Sequence, residues 1–261
     1  MTGFDVVAHN REAWNKQVRA GDEWTVGATP QMIEAARTGD LSNVVLIGYK
    51  PMLRDWLPAD LAGVEILCLA SGGGQQGPMF AAAGATVTVF DNSPLQLERD
   101  REVAAREGLV LATVLGDMRN LSAFADASFD VVFNPVSNVF CPELEPIWSE
   151  CHRVLRAGGL LLVGFMNPDT YIFDPGARDR GELLVRYSIP YADTTSLTDE
   201  ERVALGDAPL EFSHTMTQQI GGQLAAGFVI TGFDEAPHHA DVTAKVMPGY
   251  FATRALKHAF G

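Results

Sequence analysis

The chain has 261 residues, 47% of them hydrophobic and 20% charged, which is typical of a folded globular protein large enough for one buried α/β core. Its 33 Asp and Glu residues outnumber 19 Lys and Arg residues, and the net charge of −14 repels phosphate backbones and anionic lipid, so we expect no nucleic-acid partner and no membrane insertion. Three widely separated cysteines without metal-ligand spacing, no signal-peptide pattern and no apolar run long enough to span a bilayer favour a cytoplasmic protein without a metal.

The first 60 residues, called the leader below, predict a helical accessory or lid segment. Thr29 can cap a short helix that begins at Pro30, a residue suited to the first turn, and Gly39 can close that helix. Residues 43–47, "NVVLI", are mostly apolar and include three β-branched residues, so they form a candidate short strand.

Beyond the leader, hydrophobic runs alternate with helical patterns. The runs are residues 64–70, 85–91, 109–117, 129–134 and 159–166. The first is continuously apolar, as expected of a central parallel strand buried on both faces. Strands that alternate with helices at these lengths predict an α/β fold with a doubly wound parallel sheet, whose ligand binds at the carboxyl ends of the strands.

Two of the intervening helices carry sequence signals of their own. Ser93 and Gln96 match a capping box, with a proline between them at the first helical position. Another helix has an apolar stripe at helical spacing and is expected to stop at the glycine pair 158–159. The stripe comprises Leu144, Ile147, Trp148, Cys151 and Leu155.

The regular alternation ends after residue 166. Residues 167–213 are rich in proline, glycine and polar residues, which predicts an insertion or lid within a main domain of residues 61–261. A helix and two strand-like runs follow, at residues 228–236 and 250–257, and they predict an antiparallel hairpin at the edge of the sheet.

A glycine-rich loop follows the first predicted strand of the sheet. Gly72, Gly74 and Gly77 match the G-x-G-x-x-G pattern, and Asp91 ends the next strand. Glycines let the backbone approach a ligand, and a carboxylate at that strand end can accept hydrogen bonds from two ribose hydroxyls. The spacing fits a dinucleotide as well as other adenosine ligands, so an NAD(P)-dependent oxidoreductase is one alternative.

Further features favour a different adenosine ligand. The third predicted strand ends in Gly116, Asp117 and Met118, where the acid can accept from an adenine amine and the methionine can pack on the ring. A helix-capping acid beside a core methionine is the competing interpretation. A closing hairpin is also unusual in dehydrogenases, which more often continue with parallel βα units.

The segments "ILCLASGGGQQGPMFAAAGATVTVFDNSPLQL", "VLGDMRNL", "FDVVFNPVSNVF" and "ECHRVLRAGGLLLVGF" together resemble a class I S-adenosylmethionine-dependent methyltransferase of the small-molecule, methyltransferase type 11-like group. The resemblance implies a Rossmann-like sheet of seven mostly parallel strands with a C-terminal antiparallel hairpin strand. It also implies S-adenosylmethionine as cofactor, S-adenosylhomocysteine as product, and a small-molecule methyl acceptor.

By resemblance, the cofactor contacts residues from the leader, the glycine loop and the strand ends. They are Trp14, Trp24, Ala70, Ser71, Gly72, Gly74, Gln75, Asp91, Asn92, Leu95, Gly116, Asp117, Met118, Asn134, Pro135 and Val136. The two tryptophans are equally well explained as packing residues. The "NPVS" sequence at residues 134–137 departs from the "NPPY" of amino methyltransferases, which weakens a nucleobase or protein-amide target.

Acceptor residues are harder to assign. His214, just before a predicted helix, is the candidate catalytic base, and a capping or exposed histidine competes with that role. Asn138, Asn167, Tyr171 and Tyr187 are candidate substrate contacts. A non-catalytic protein that binds S-adenosylmethionine is a further alternative, although the tyrosine-containing lid favours an enzyme. The sequence leaves a homodimer open.

Overall fold

Parallel strands form the centre of the structure, a computed structural model that describes residues 4–258. The leader contains helix α1 (Val6–Ala20), helix α2 (Pro30–Arg37) and the short strands β1 (Val45–Ile47) and β2 (Lys50–Pro51). Next come β3 (Glu65–Leu69), α3 (Gln76–Ala82), β4 (Thr86–Asp91), α4 (Pro94–Glu107), β5 (Ala112–Leu115), β6 (Phe129–Asn134), α5 (Glu145–Val154) and β7 (Leu155–Met166). The remaining elements are α6 (Pro175–Asp179), α7 (Asp193–Ser196), α8 (Asp199–Leu205), α9 (Gly222–Ala225), β8 (Phe228–Ala236) and β9 (Tyr250–Lys257).

The main sheet has seven strands in the order β5-β4-β3-β6-β7-β9-β8. Strands β3 to β7 pair in parallel, and β9 is antiparallel to both β7 and β8. This confirms the predicted α/β, doubly wound, mostly parallel sheet with a closing antiparallel hairpin. The strand order reverses between β3 and β6, and in such sheets ligands bind outside the carboxyl ends of the strands at this switch point.

Alternating side chains on the strands divide the interior into two hydrophobic cores. Ile66 and Cys68 of β3 face a core shared with α3 and the leader. Leu67 and Leu69 face the opposite core, which α5 covers with the fully buried ring of Trp148. This burial on both faces is why β3 is a continuous apolar run in the sequence.

The leader packs directly onto the sheet. Ile33, Val44 and Leu46 are buried in the core on that face. Gly164 of β7 permits the contact, because a Cβ atom at this position would lie 2.1 Å from the backbone oxygen of Leu46. Thr29 caps α2 as predicted, its hydroxyl accepting from the amide of Met32 at 3.3 Å.

Two local predictions were wrong in detail. The helix with the apolar stripe ends at Val154, not at the glycine pair, because the chain joins β6 from Leu155 onward. The capping box is half formed: the Ser93 hydroxyl accepts from the Gln96 amide at 3.1 Å, but the Ser93 amide donates to Asp91 Oδ1 at 2.8 Å. The Gln96 side chain is therefore displaced from its usual capping role.

Residues 167–213 and α1 together cover the carboxyl ends of the strands, and we call this pair of segments the roof. Asn10 of α1 joins them. Its side-chain amide donates to the Leu210 and Phe140 carbonyl oxygens at 3.1 and 2.9 Å, and its oxygen accepts from the Leu210 amide at 2.8 Å. Among residues 4–258, no helix is both long and apolar enough to cross a bilayer.

Candidate active site

A cavity of about 840 Å³ lies between the roof and the carboxyl ends of the parallel strands. This volume is within the usual range for sites that enclose small molecules. We distinguish two parts of its lining. The strand end comprises Ala70, Ser71, Phe90, Asp91, Asn92, Gly116, Asp117 and Met118, and the far end comprises Thr170, Tyr171, Arg178, Glu211, His238 and Tyr250.

The glycine loop between β3 and α3 is shaped mainly by contacts within the protein. Gly73 and Gly74 have φ values of +116° and +75°. A Cβ atom on Gly74 would lie 2.7 Å from the backbone oxygen of Arg99, and one on Gly72 would lie 2.7 Å from Gln96 Cβ. The glycines therefore allow the loop to pack closely against α4, and neither Gly72 nor Gly74 lines the cavity.

Asp91 ends β4 and holds the loop from the opposite side. Its Oδ2 accepts from the Gly72 amide at 2.9 Å, and its Oδ1 accepts from the Ser93 amide at 2.8 Å. Burial raises the pKa of this carboxyl, and the backbone hydrogen bonds oppose the shift. Nearby, the Ser71 hydroxyl is buried in the cavity wall without a hydrogen-bond partner in the structure. A carboxylate and an unpaired hydroxyl suit a ligand that is itself rich in hydroxyl groups.

Asp117 follows β5 and forms an ion pair with Arg119, with Nη2 and Oδ2 2.7 Å apart. Beside it, a Cβ atom on Gly116 would lie 2.2 Å from the ring of Phe90, so this glycine allows the aromatic ring to lie against the turn. Phe90 and Met118 supply apolar surface near the acid. The combination fits a flat, partly polar ring such as adenine.

The structure brings most of the sequence-predicted cofactor residues together around the cavity. Those in the lining are Trp14, Trp24, Ala70, Ser71, Gln75, Asp91, Asn92, Gly116, Asp117, Met118, Pro135 and Val136, and Tyr171 joins them from the predicted acceptor residues. The lining does not include Gly72, Gly74, Leu95, Asn134, Asn138, Asn167, Tyr187 or His214.

Three predicted asparagines hold neighbouring segments together outside the cavity lining. Asn134 donates to the Leu69 carbonyl oxygen at 2.9 Å, which links the two strands at the switch point. Asn138 donates to Gln219 Oε1 at 3.1 Å, and Asn167 donates to the Pro248 carbonyl oxygen at 2.7 Å. All three side chains are buried outside the cavity lining, and their amide groups hold neighbouring segments together.

The geometry does not support His214 as the catalytic base. Its ring is 3% exposed, and Nε2 lies 2.8 Å from the Cys141 carbonyl oxygen and 3.2 Å from that of Asn138. Two carbonyl acceptors require Nε2 to carry a proton, so this nitrogen is a donor. Burial also lowers the pKa of the ring. His214 therefore secures the backbone behind the cavity wall.

Tyr187 is also displaced from its predicted position. The Tyr187 ring packs edge-on against the ring of Tyr191, with 5.1 Å between centroids. The guanidinium of Arg186 also contacts the Tyr187 ring, 4.8 Å from its centroid. The Tyr187 hydroxyl is buried without a hydrogen-bond partner. Tyr187 thus supports the insertion from outside the cavity.

The sequence analysis missed most of the far end. Glu211 Oε2 accepts a hydrogen bond from the Tyr171 hydroxyl at 2.7 Å. Burial raises the pKa of Glu211, an effect that the Tyr171 hydrogen bond opposes. Arg178 lines the same region and donates from Nε to Asp241 Oδ2 at 2.8 Å. No motif marks these residues, because they lie in short helices and loops with no repeating pattern.

Aromatic rings from the leader and from the β8–β9 connection meet beside the cavity. Trp24 contacts Tyr49 at 5.1 Å between ring centroids, Tyr49 contacts His239 at 4.0 Å, and His238 stacks on Tyr250 at 5.3 Å. The pair His238 and His239 thus packs with aromatic rings. In the described part of the chain, no three His, Cys, Asp or Glu side chains are grouped so that they could hold a metal ion.

Sequence comparisons agree with this geometry. The methyltransferase domain family matches residues 67–163. The uncharacterized methyltransferase YbaJ of Bacillus subtilis is 46% identical over 254 residues, which cover 97% of this chain and 98% of that protein. A sterol 24-C-methyltransferase of Gibberella zeae is 38% identical over 101 residues, but the match covers only 38% of this chain and 26% of the relative.

Solved structures share the fold at low sequence identity. An S-adenosylmethionine-dependent methyltransferase from Mesorhizobium loti superposes with a TM-score of 0.61 at 20% identity, covering 78% of this chain and 94% of the other. A 1,6-didemethyltoxoflavin-N1-methyltransferase from Burkholderia thailandensis, solved with bound 1,6-didemethyltoxoflavin and S-adenosylhomocysteine, superposes with a TM-score of 0.57 at 17% identity, covering 97% of this chain and 89% of the other. These similarities establish the fold.

The sheet order and the position of the cavity define a Rossmann-like methyltransferase fold. Together with the relative that is similar over nearly the whole length, they show that the chain belongs to the class I S-adenosylmethionine-dependent methyltransferases. The resemblance inferred from the sequence motifs is thereby confirmed.

Proposed function

We propose that the protein transfers the methyl group of S-adenosylmethionine to a small molecule held inside the cavity, and that it releases S-adenosylhomocysteine. The observation that carries this proposal is one continuous cavity of about 840 Å³ that joins Asp91 at the strand end to Glu211 at the far end. The roof covers part of this space, which leaves less room for a nucleic acid or protein acceptor than an open groove would. The net charge of −14 also disfavours nucleic acid.

The residues of the strand end fit the cofactor. We assign the Asp91 carboxylate to the ribose hydroxyls, with the unpaired Ser71 hydroxyl beside it. Asp117 is assigned to the exocyclic amine of adenine, with Phe90 and Met118 against the ring. Trp14, Trp24, Gln75, Asn92, Pro135 and Val136 complete this lining. Gly72, Gly74 and Asn134 act by holding it in place, and Leu95 lies outside it.

The chain contributes mainly position and enclosure. When bound, the cofactor supplies a methyl group on a sulfonium, which is already activated for transfer. The roof can align an acceptor atom with that methyl group and exclude water, and alignment of this kind supplies much of the acceleration in such reactions. The cytoplasmic location and the absence of a metal remain predictions from the sequence.

A binding experiment tests the cofactor site. Titration calorimetry with S-adenosylhomocysteine should give saturable binding to the wild-type protein, and NAD(H) should give none. Asp91→Asn should weaken the affinity by at least about tenfold, because it removes a charged acceptor of hydrogen bonds. Asp55→Asn, at an exposed position outside the cavity, is the matched control. Equal affinities of the Asp91 and Asp55 variants would contradict the ribose assignment.

A transfer experiment tests the class of acceptor. S-adenosylmethionine with a labelled methyl group is incubated with the protein and an extract of Bacillus subtilis, which contains the 46% identical relative. We expect label in the fraction that passes a filter excluding macromolecules. Label in retained RNA or protein would refute the small-molecule proposal, and cofactor binding without transfer to any fraction would favour a non-catalytic binding protein.

A further inference from the structure

The far end of the cavity holds a carboxylate whose partners leave it able to act on a ligand. Glu211 lines the cavity, and its Oε2 accepts from the Tyr171 hydroxyl at 2.7 Å. The same glutamate is anchored through its backbone, because its amide donates to Asp193 Oδ2 at 2.7 Å. A carboxylate held at both the main chain and one oxygen is well fixed for proton transfer through its other oxygen.

A second polar group at this end lacks a partner. Thr170, the residue before Tyr171, is 1% exposed, and its hydroxyl is buried without a hydrogen-bond partner in the structure. Thr170 also lines the cavity. A buried hydroxyl left unpaired costs free energy, so a ligand with a polar substituent at this position would satisfy it.

Charge restricts the kind of ligand that fits. The cation at this end, Arg178, is neutralised by its pairing with Asp241, whereas Glu211 and the nearby Asp193 add negative charge. An anionic acceptor is therefore disfavoured. An ammonium group would be held by the carboxylates in its protonated form, which has no free lone pair for a methyl group. A neutral hydroxyl has both a lone pair and a transferable proton.

The flat rings at this end restrict the shape. Tyr171 stacks on Tyr191 with ring centroids 5.4 Å apart and planes inclined by 29°. On the β9 side, Tyr250 stacks on His238 at 5.3 Å with an inclination of 16°. The rings of Tyr171, His238 and Tyr250 line the cavity, and such surfaces favour planar, largely apolar molecules.

We propose that the acceptor is a neutral planar aromatic compound with a hydroxyl group, and that Glu211 accepts the proton of this hydroxyl during methyl transfer. This inference rests on the proposed methyltransferase function. In the balanced reaction, an oxygen–carbon bond forms to the methyl group, the carbon–sulfur bond breaks with its electron pair remaining on sulfur, and the hydroxyl proton moves to the Glu211 carboxylate. Tyr171 is a positioning residue that fixes the orientation of this carboxylate.

The test compares two probes that differ by one methyl group. The protein is saturated with S-adenosylhomocysteine, and the affinities of 2-naphthol and 2-methoxynaphthalene are measured by fluorescence titration. We expect the wild-type protein to prefer 2-naphthol by about tenfold, because only the hydroxyl can donate to Glu211 in a charge-assisted hydrogen bond. Glu211→Gln should reduce this preference to less than about threefold.

The matched control is Glu182→Gln, at an exposed glutamate of the same insertion that pairs with Arg180. It should retain the wild-type preference. An unchanged preference in the Glu211 variant, or a saturated wild-type protein that does not favour 2-naphthol, would overturn the inference. Failure of the wild-type protein to bind S-adenosylhomocysteine would instead refute the underlying methyltransferase proposal.

A measurement on the wild-type protein covers the case in which Glu211→Gln does not fold. Because burial raises the pKa of Glu211, this carboxyl takes up its proton at a higher pH than an ordinary glutamate. The preference for 2-naphthol, which stays un-ionised through neutral pH, should therefore decline as the pH falls through the raised pKa of Glu211. A preference independent of pH would overturn the inference. The titratable and charged groups facing Glu211 are Tyr171, Arg178, Tyr191, Asp193 and Tyr250.

Discussion

The two ends of the cavity are built in different ways. At the strand end, Asp91 and Asp117 lie at the end of, or just beyond, neighbouring parallel strands, and the regular βα alternation brings them to one edge of the sheet. At the far end, Tyr171 and Glu211 are 40 positions apart in the chain, within residues 167–213, which lack the regular βα alternation, and their side chains form a hydrogen bond. A cofactor that many proteins share can thus be bound by the repeated βα framework. An acceptor that differs between proteins can be bound by segments that change without altering the sheet.

The largest expected loss of stability comes from a substitution in the glycine loop, which would disrupt the packing beside the strand end. Gly74→Ala places a Cβ atom 2.7 Å from a backbone oxygen at a φ of +75°, so it should cost about 3 kcal/mol in the free energy of unfolding. Thermal unfolding should show a Tm lower by roughly 6–12 °C.

Gly39→Ala is the matched control for this prediction. Gly39 also has a positive φ, +88°, but a Cβ atom there meets no atom within 4 Å. This variant should lose only about 1 kcal/mol, the cost of backbone strain alone. Equal losses in the two variants would show that the packing of the loop against α4 contributes nothing.

A pH dependence of the free energy of unfolding, of similar size, would test how Asp100 holds the glycine loop near the strand end. Asp100 accepts from the Gly73 amide at 3.0 Å, and burial raises its pKa from 3.8 to about 8. The folded protein therefore binds more protons than the unfolded chain between these values, so this group's contribution makes stability fall as pH rises through that window. The wild-type protein should lose about 2–4 kcal/mol between pH 5 and pH 8 from this source.

Denaturant unfolding of Asp100→Asn across the same pH range checks this prediction. The variant cannot ionise at this position, so its stability should decline less than that of the wild-type protein. Asp55→Asn, exposed to solvent, should follow the wild-type curve. Parallel curves for the wild-type protein and the Asp100 variant would show that Asp100 remains ionised in the folded protein.

A substitution with a smaller expected effect tests whether the roof unfolds independently of the sheet. Asn10→Ala removes three hydrogen bonds between α1 and its neighbours and leaves a buried carbonyl oxygen and amide of Leu210 unpaired, at a cost of about 2 kcal/mol. Hydrogen exchange should accelerate in residues 207–211 and remain unchanged in β3 and β6. Faster exchange throughout the sheet would mean that the roof and the sheet unfold as one unit.

Lys16→Ala is the control for the roof prediction. Lys16 also connects α1 to the insertion, through an ion pair with Asp207 at 2.6 Å, but both side chains are exposed. Exposed ion pairs contribute little to stability, so we expect no measurable change in exchange.

The prediction of the fold was accurate where the local pattern and the tertiary environment impose the same constraint. The apolar run of β3 corresponds to a strand buried on both faces, and Asp91 ends β4 as predicted. The prediction was inaccurate where several local signals compete. Gly158 favours a helix end, yet strand pairing begins at Leu155, because the backbone there gains partners on β6.

The site follows the same division. His214 has a side chain that can act as a base, and it lies in a segment expected to line the acceptor pocket. Its Nε2, however, donates to carbonyl oxygens of residues more than 70 positions away in the chain. Glu211 had no distinguishing sequence context, and its significance depends on its contact with Tyr171 inside a common cavity.

The sequence by itself determined the order of strands and helices, the glycine loop and the acids that follow β4 and β5, because these features depend on periodicity and on conformational preferences within a few residues. The tertiary structure alone decided which side chains of the insertion face the cavity and which are used to hold its walls. Those outcomes depend on contacts between distant segments, and the energies of such contacts leave no periodic signal in the chain.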